Sequence, residues 1–152
     1  MIPLPQTKIH KVQPLVEAFI RESHCSDRTT AQHCLEKLAQ GYLTKSMDAY
    51  VDDVEAPRKI IVFGRYPSLP FKEDLIVVNF IYSVEEDRLK PETLAAFKEI
   101  LEKYPQVHQA DAMLASSWVY KNSRGIDAFW RHLGFERQEI IYVKRLKEVN
   151  HG

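Results

Sequence analysis

Two histidine–cysteine pairs, His24-Cys25 and His33-Cys34, are the first residues in the chain whose types could do chemistry, because imidazole and thiolate are the common ligands of zinc. Their spacing argues against a site. Neighbouring residues on a helix point in different directions, and the chain has neither a C-x-x-C nor an H-x-x-x-H clamp. No metal is expected, and Cys34 reads as apolar filling. Asn79 is polar inside an otherwise apolar run, so it orients a substrate or a water, satisfies a neighbouring backbone group, or marks a bulge. Tyr120 ends another such run, where its phenol is a candidate proton donor and its ring a candidate core residue. His132 is a candidate for proton transfer by residue type. It is expected to face solvent, because Phe129, Trp130 and Leu133 already define the apolar stripe of its segment.

These side chains need elements to position them, and hydrophobic periodicity supplies them. Residues 8–12 read as a short strand. Pro14 suits a first helical turn, after which Leu15, Val16, Phe19 and Ile20 form one face. Ala31, Leu35, Leu38 and Tyr42 recur at helical spacing, with Ser26 or Asp27 to cap that helix and Gly41 to stop it. The period then changes. Residues 49–54, 59–64 and 75–84 are rich in Val, Ile, Phe and Tyr and read as strands, with a loop at 66–71 that holds Pro67 and Pro70. Pro91 opens a third helix whose stripe is Leu94, Phe97, Leu101 and Tyr104, and Pro105 is expected to end it. Residues 112–120 read as a strand, 123–133 as a short helix closed by Gly134, and 139–146 as a final strand. That order predicts an α/β (α+β) fold, a mixed sheet with helices on both faces. The helix between residues 84 and 112 makes one parallel, right-handed crossover.

Composition excludes several classes. A chain of 152 residues that is 45% apolar fits one domain, 1–152, with a core that needs no disulfide or metal. No stretch approaches the roughly 18 consecutive apolar residues of a membrane span, and the first ten residues lack the apolar run of a signal peptide. Two cysteines are too few for a disulfide framework, so free thiols and a cytoplasmic location are expected. With 21 Lys plus Arg against 21 Asp plus Glu, no global field draws the chain to nucleic acid or an anionic membrane. Lys144, Arg145 and Lys147 cluster, but Glu139 and Glu148 bracket them as on a solvated strand edge.

The segment Asn122-Ser-Arg-Gly-Ile-Asp-Ala-Phe-Trp-Arg-His-Leu-Gly-Phe135, followed by Tyr142-Val-Lys-Arg-Leu146, together with the element order, resembles the GNAT superfamily of acetyl-CoA-dependent N-acetyltransferases. The resemblance spans nearly the whole chain. Its most specific part is an Asn after the fifth strand, a helix with an aromatic pair, Gly-Phe, and a closing strand. Gly134 can take the left-handed conformation that ends a helix, and Phe135 then folds back onto the core. The resemblance implies a mostly antiparallel sheet of about six to seven strands. It also implies acetyl-CoA or another acyl-CoA as co-substrate, and transfer of the acyl group to an amine. By the same resemblance the main chain around Val84 would pair with the pantetheine arm, and Asn122 would contact the coenzyme where the fifth strand splays away.

Two departures from the family pattern stand out. The family's pyrophosphate loop, Arg/Gln-x-x-Gly-x-Gly/Ala, falls on residues 84–93, which contain no glycine. Glu85, Glu86, Asp87 and Glu92 would repel a pyrophosphate, and Pro91 removes an amide donor. Arg88 and Lys90 either compensate in part or are surface charges at a helix entrance. The second departure is Trp130, where many members carry a tyrosine that protonates the departing thiolate. An indole N–H cannot act as an acid at neutral pH, so Trp130 reads as core or pocket wall. Tyr120 is then the nearest substitute acid, with Asn79 near the strand opening to orient substrate or water. Two readings follow: an acyltransferase, or a catalytically degenerate member that keeps the scaffold as a structural or partner-binding subunit.

Overall fold

The segment Lys59–Tyr66 carries Ile60, Ile61, Val62 and Phe63 in succession, all at most 1% exposed. A strand that is apolar on both faces must be covered on both, so this one lies at the centre of a layered structure. A computed structural model describes residues 1–67, 74–116 and 120–137. Among them the strands are β1 (Ile2–Pro3), β2 (Met47–Val51), β3 (Lys59–Tyr66), β4 (Leu75–Ser83) and β5 (Met113–Ala115), in spatial order β1-β2-β3-β4-β5. All neighbours are antiparallel except β4 and β5, which run parallel across a helical crossover. Five described strands compare with the six to seven expected; the predicted closing strand, 139–146, lies outside the described residues.

Alternation along β3 sorts the core into two layers. Ile60 and Val62 pack with helices α1 (Gln13–Glu22) and α2 (Ala31–Leu43), whereas Ile61 and Phe63 pack with α3 (Pro91–Val107) and α4 (Ser123–His132). Among the described residues no helix is long and apolar enough to cross a membrane.

Several local expectations are corrected. Gln6–Val12 is a 3₁₀ helix and not a strand; its buried residues, Ile9 and Val12, are three apart, the period of that helix. The strand near the N-terminus is Ile2–Pro3. Thr30, rather than Ser26 or Asp27, caps α2, its Oγ1 accepting from the His33 amide at 3.2 Å. Gly41 does not stop that helix. It is buried within it, and a Cβ there would meet the Met47 side chain at 2.5 Å, so the glycine lets β2 approach. The stop is Lys45 at φ +56°, with the Ser46 amide donating to Gly41 O at 2.8 Å and the Lys45 amide to Tyr42 O at 3.2 Å. The helix α3 continues through Pro105 and ends the same way, at Gln109 with φ +50° and the Ala110 amide on Pro105 O at 3.1 Å. Gly134, at φ +87°, repeats the motif after α4: the Phe135 amide donates to Trp130 O at 3.0 Å, and the two rings lie 5.2 Å apart. One terminator thus closes three helices, and a glycine marks it only once.

At the N-terminal edge of β4, the α3 layer holds a polar corner. Tyr104 Oη donates to Asp48 Oδ2 at 2.5 Å, and Arg65 Nε lies 3.7 Å from the same oxygen. Arginine only donates, so His108 Nδ1, 3.1 Å from Arg65 Nη1, is the acceptor; the ring proton therefore sits on Nε2, 3.9 Å from Asp48 Oδ2. Partial burial and the Arg65 charge hold the His108 pKa below its usual value, against the opposing pull of Asp48 and Asp74. The unfolded chain therefore takes up a proton that the folded corner resists. Stability contributed by His108 is present above pH of about 6.5 and is lost as pH falls below it. Urea titrations at descending pH should show that slope in the wild type and a shallower one in His108→Gln; equal slopes would refute it.

Candidate functional site

Among the described residues the parallel pairing of β4 and β5 covers Ile76↔Met113, Val77↔Leu114 and Val78↔Ala115. Farther along β4, at Ile81, the neighbour among the described residues is the Tyr120 side chain, and an opening lies beside it. Asn79 is the extra residue of a β-bulge, because Val62 pairs with Phe80 and Phe63 with Val78. Tyr120 itself forms an antiparallel bridge with Ser23 at the end of α1. The Tyr120 hydroxyl reaches back across the opening, accepting from the Ile81 amide at 2.9 Å and donating to the Ile81 carbonyl at 3.3 Å. A side chain thus satisfies main-chain groups that a neighbouring strand would otherwise take. Burial raises the Tyr120 pKa well above an ordinary phenol, so the group is neutral at physiological pH.

The opening is a cavity of about 500 Å³, a size typical of small-molecule sites. It passes between the two core layers: Phe19 and Tyr82 belong to the α1 side, Phe97, Ile126 and Phe129 to the α3 and α4 side. Phe19 is fixed by stacking on Phe80 at 4.7 Å and by an edge contact with Tyr120 at 5.6 Å. The walls are therefore mainly apolar and preformed.

Polar groups gather at the rim, in the turn from β4 to α3. This turn opens with a short 3₁₀ helix, Glu85–Asp87, in which the Asp87 amide donates to Val84 O and the Arg88 amide to Glu85 O. The Lys90 amide donates to Asp87 O, and Thr93 and Leu94 both donate to Lys90 O. These amides are spent within the turn. The buried Asp87 carboxylate accepts from Arg58 Nε at 2.8 Å and Lys90 Nζ at 2.7 Å, with Lys59 Nζ at 3.7 Å. Arg58 and Lys90 hold its carboxyl well below the usual carboxylate range. Arg88 donates to Ser83 O at 2.9 Å, pairs with Glu22 of α1, and lies 5.1 Å over the Tyr82 ring.

Of the residues singled out from sequence, Tyr120, Arg88 and Asn122 line this cavity; Asn79, Val84 and Lys90 do not. The Val84 amide is turned to β3, donating to Arg58 O at 3.0 Å, and the main-chain groups directed at the opening belong to Ile81 and Ser83. Lys90 is paired with Asp87. Asn122 caps α4, its Oδ1 accepting from the Gly125 amide at 3.0 Å. Trp130 is 6% exposed within the core, whereas Phe129 beside it meets the cavity. His132 is exposed as expected and stands at the cavity rim. Sequence reasoning missed Thr93, Phe19 and the Glu22–Arg88 pair; the last joins residues too far apart for any local pattern to reveal. Among the described residues no group of three or more His, Cys, Asp or Glu is placed to hold a metal ion.

No family model and no curated protein sequence matches the chain. Solved structures do. The integron cassette protein HFX_CASS3 from the mobile metagenome of Cole Harbour Salt Marsh superposes with a TM-score of 0.77 at 12% identity, covering 99% of this chain and 93% of that one. Ribosomal-protein-alanine N-acetyltransferase from Brucella melitensis biovar Abortus 2308 does so with a TM-score of 0.72 at 16% identity, over 95% and 96%. AAC(6')-Iy, in complex with the bisubstrate analogue CoA-S-monomethyl-acetylneamine, gives 0.69 at 11% identity, over 95% of both chains. The fold is the GNAT fold.

Proposed function

We propose that the protein is a GNAT-type N-acyltransferase that moves an acetyl or related acyl group from a CoA thioester to an amine. The observation that carries this reading is the preformed cavity beside β4, with Tyr120 and Asn122 on its wall. Fold likeness to acetyltransferases, one of them holding a CoA-derived bisubstrate analogue, supports it. In the proposed reaction the amine nitrogen forms a bond to the thioester carbonyl carbon. The C–S bond then breaks, the thiolate takes a proton from an acid, and the amine nitrogen loses a proton to water, which returns one to that acid. Tyr120 is the proposed acid, because its hydroxyl stands on the cavity wall; burial makes it a weaker acid than a free phenol, so its proton must move as the C–S bond breaks. Supplying it requires the bond to Ile81 O to be exchanged for one to sulfur. The arm of the donor would run along Ile81 and Ser83, whose main chain borders the cavity.

The turn at 85–91 favours a second reading. Its amides at Asp87, Arg88 and Lys90 are used internally, and Asp87 and Glu22 neutralise the cations that would meet a pyrophosphate. A scaffold with lost coenzyme chemistry, serving as a structural or partner-binding subunit, accounts for that arrangement. Calorimetric titration with acetyl-CoA separates the two. Saturable heat with a Kd of roughly 1 μM to 1 mM is expected for the enzyme; no heat up to millimolar ligand would leave the scaffold reading standing.

A further inference from the structure

Four buried side-chain polar atoms among the described residues have no hydrogen-bond partner: Arg65 Nε, Asn79 Nδ2, Thr93 Oγ1 and Trp130 Nε1. Only Thr93 belongs to a residue that lines the cavity. It lies in the first turn of α3 and is 1% exposed. A helical threonine commonly satisfies its hydroxyl on a carbonyl three or four residues back. Here the carbonyl three residues back, Lys90 O, is already taken by the Thr93 and Leu94 amides. Burying a hydroxyl without a partner opposes folding, so a side chain left in this state at the wall of a cavity fits a ligand that supplies the missing bond.

The surroundings define the chemistry of that ligand atom. Lys90 and Arg58 are paired with Asp87, and Arg88 with Glu22, so no uncommitted cation of the turn stands ready for an anion. Glu85, Glu86 and Glu92 are exposed nearby and would repel one. Leu94, Phe97 and Ile81 make the adjoining wall apolar. An uncharged acceptor on a slender chain satisfies all three conditions.

We infer that Thr93 is a donor-binding residue whose hydroxyl hydrogen-bonds a neutral amide or thioester carbonyl in the arm of the acyl donor, and not a phosphate. The inference rests on the acyltransferase reading. Its test is calorimetry of wild type, Thr93→Val and Thr93→Ser with three probes: acetyl-CoA, phosphate-free S-acetylpantetheine, and adenosine 3′,5′-bisphosphate. Thr93→Val is expected to weaken acetyl-CoA and S-acetylpantetheine alike, by about 3- to 10-fold. Binding of the bisphosphate stays unchanged, and Thr93→Ser stays within about 2-fold of wild type. The unliganded Thr93→Val protein should melt no lower than wild type, since a partnerless hydroxyl has been exchanged for a methyl of the same shape. Unchanged S-acetylpantetheine affinity in Thr93→Val overturns the inference, as does weakening confined to the bisphosphate or a fall in Tm. A wild type that binds neither thioester overturns instead the acyltransferase reading on which it stands.

Discussion

Tyr104→Ala is expected to lower the free energy of unfolding by about 3–5 kcal/mol, a large share of the stability of a chain this size. The ring is 1% exposed, stacks on Phe63 at a centroid distance of 4.0 Å with planes 8° apart, and meets Tyr50 edge-on at 5.7 Å. Truncation leaves a void between α3 and the sheet that neighbouring aromatics cannot collapse to fill. Tyr104→Phe separates packing from polarity. It keeps the ring and removes only the bond to Asp48, whose part-exposed carboxylate keeps Arg65 beside it, so a cost of about 1 kcal/mol is expected. Urea midpoints of the two variants measure this, provided the m-values agree with wild type. A Tyr104→Ala cost within about 0.5 kcal/mol would show that the corner is not a packing unit.

Tyr104 also illustrates what a sequence discloses. Its place on the buried stripe of α3 follows from spacing, because burial of a helix face imposes a periodicity that survives in the residue types. Asp48, its hydrogen-bond partner, lies 56 positions away, and nothing local connects the two. Helix ends show the same division. Gly134 announces its left-handed turn because glycine adopts it without penalty, whereas Lys45 and Gln109 adopt it under the pull of the two carbonyls that their motifs satisfy. A strand-like composition at Lys8–Val12 concealed a three-residue period. The candidate site was legible in part. Tyr120 and Asn122 stand at chain positions that the element order marks as the strand opening. The acidic run Glu85–Asp87 reads as repulsive toward a phosphate, and the reason it is tolerated is Arg58 and Lys59, which arrive from β3 and the residue before it to hold Asp87. Thr93 was invisible because a polar residue in a first helical turn is ordinarily solvated, and only the packing around it shows that this one is not.

In the second prediction, Tyr120→Phe lowers both turnover and stability, and the two losses are separable. Removing the hydroxyl leaves the Ile81 amide and carbonyl without their partner at a part-buried position, which should cost about 1–3 kcal/mol in a urea titration. If the phenol also protonates the departing thiolate, kcat with acetyl-CoA falls by about 10²-fold or more, while KM for acetyl-CoA changes little. The leaving group discriminates between these roles. An aryl thioester expels a thiolate that needs no proton, so it should restore Tyr120→Phe to near the wild-type rate if the lost group is an acid. A variant equally slow with both donors would place Tyr120 among the residues that hold the strand opening in shape, and the proton would have to come from elsewhere. The geometry favours rescue, because the Tyr120 hydroxyl lines the cavity and donates to Ile81 O across a long 3.3 Å contact that a sulfur anion can outcompete.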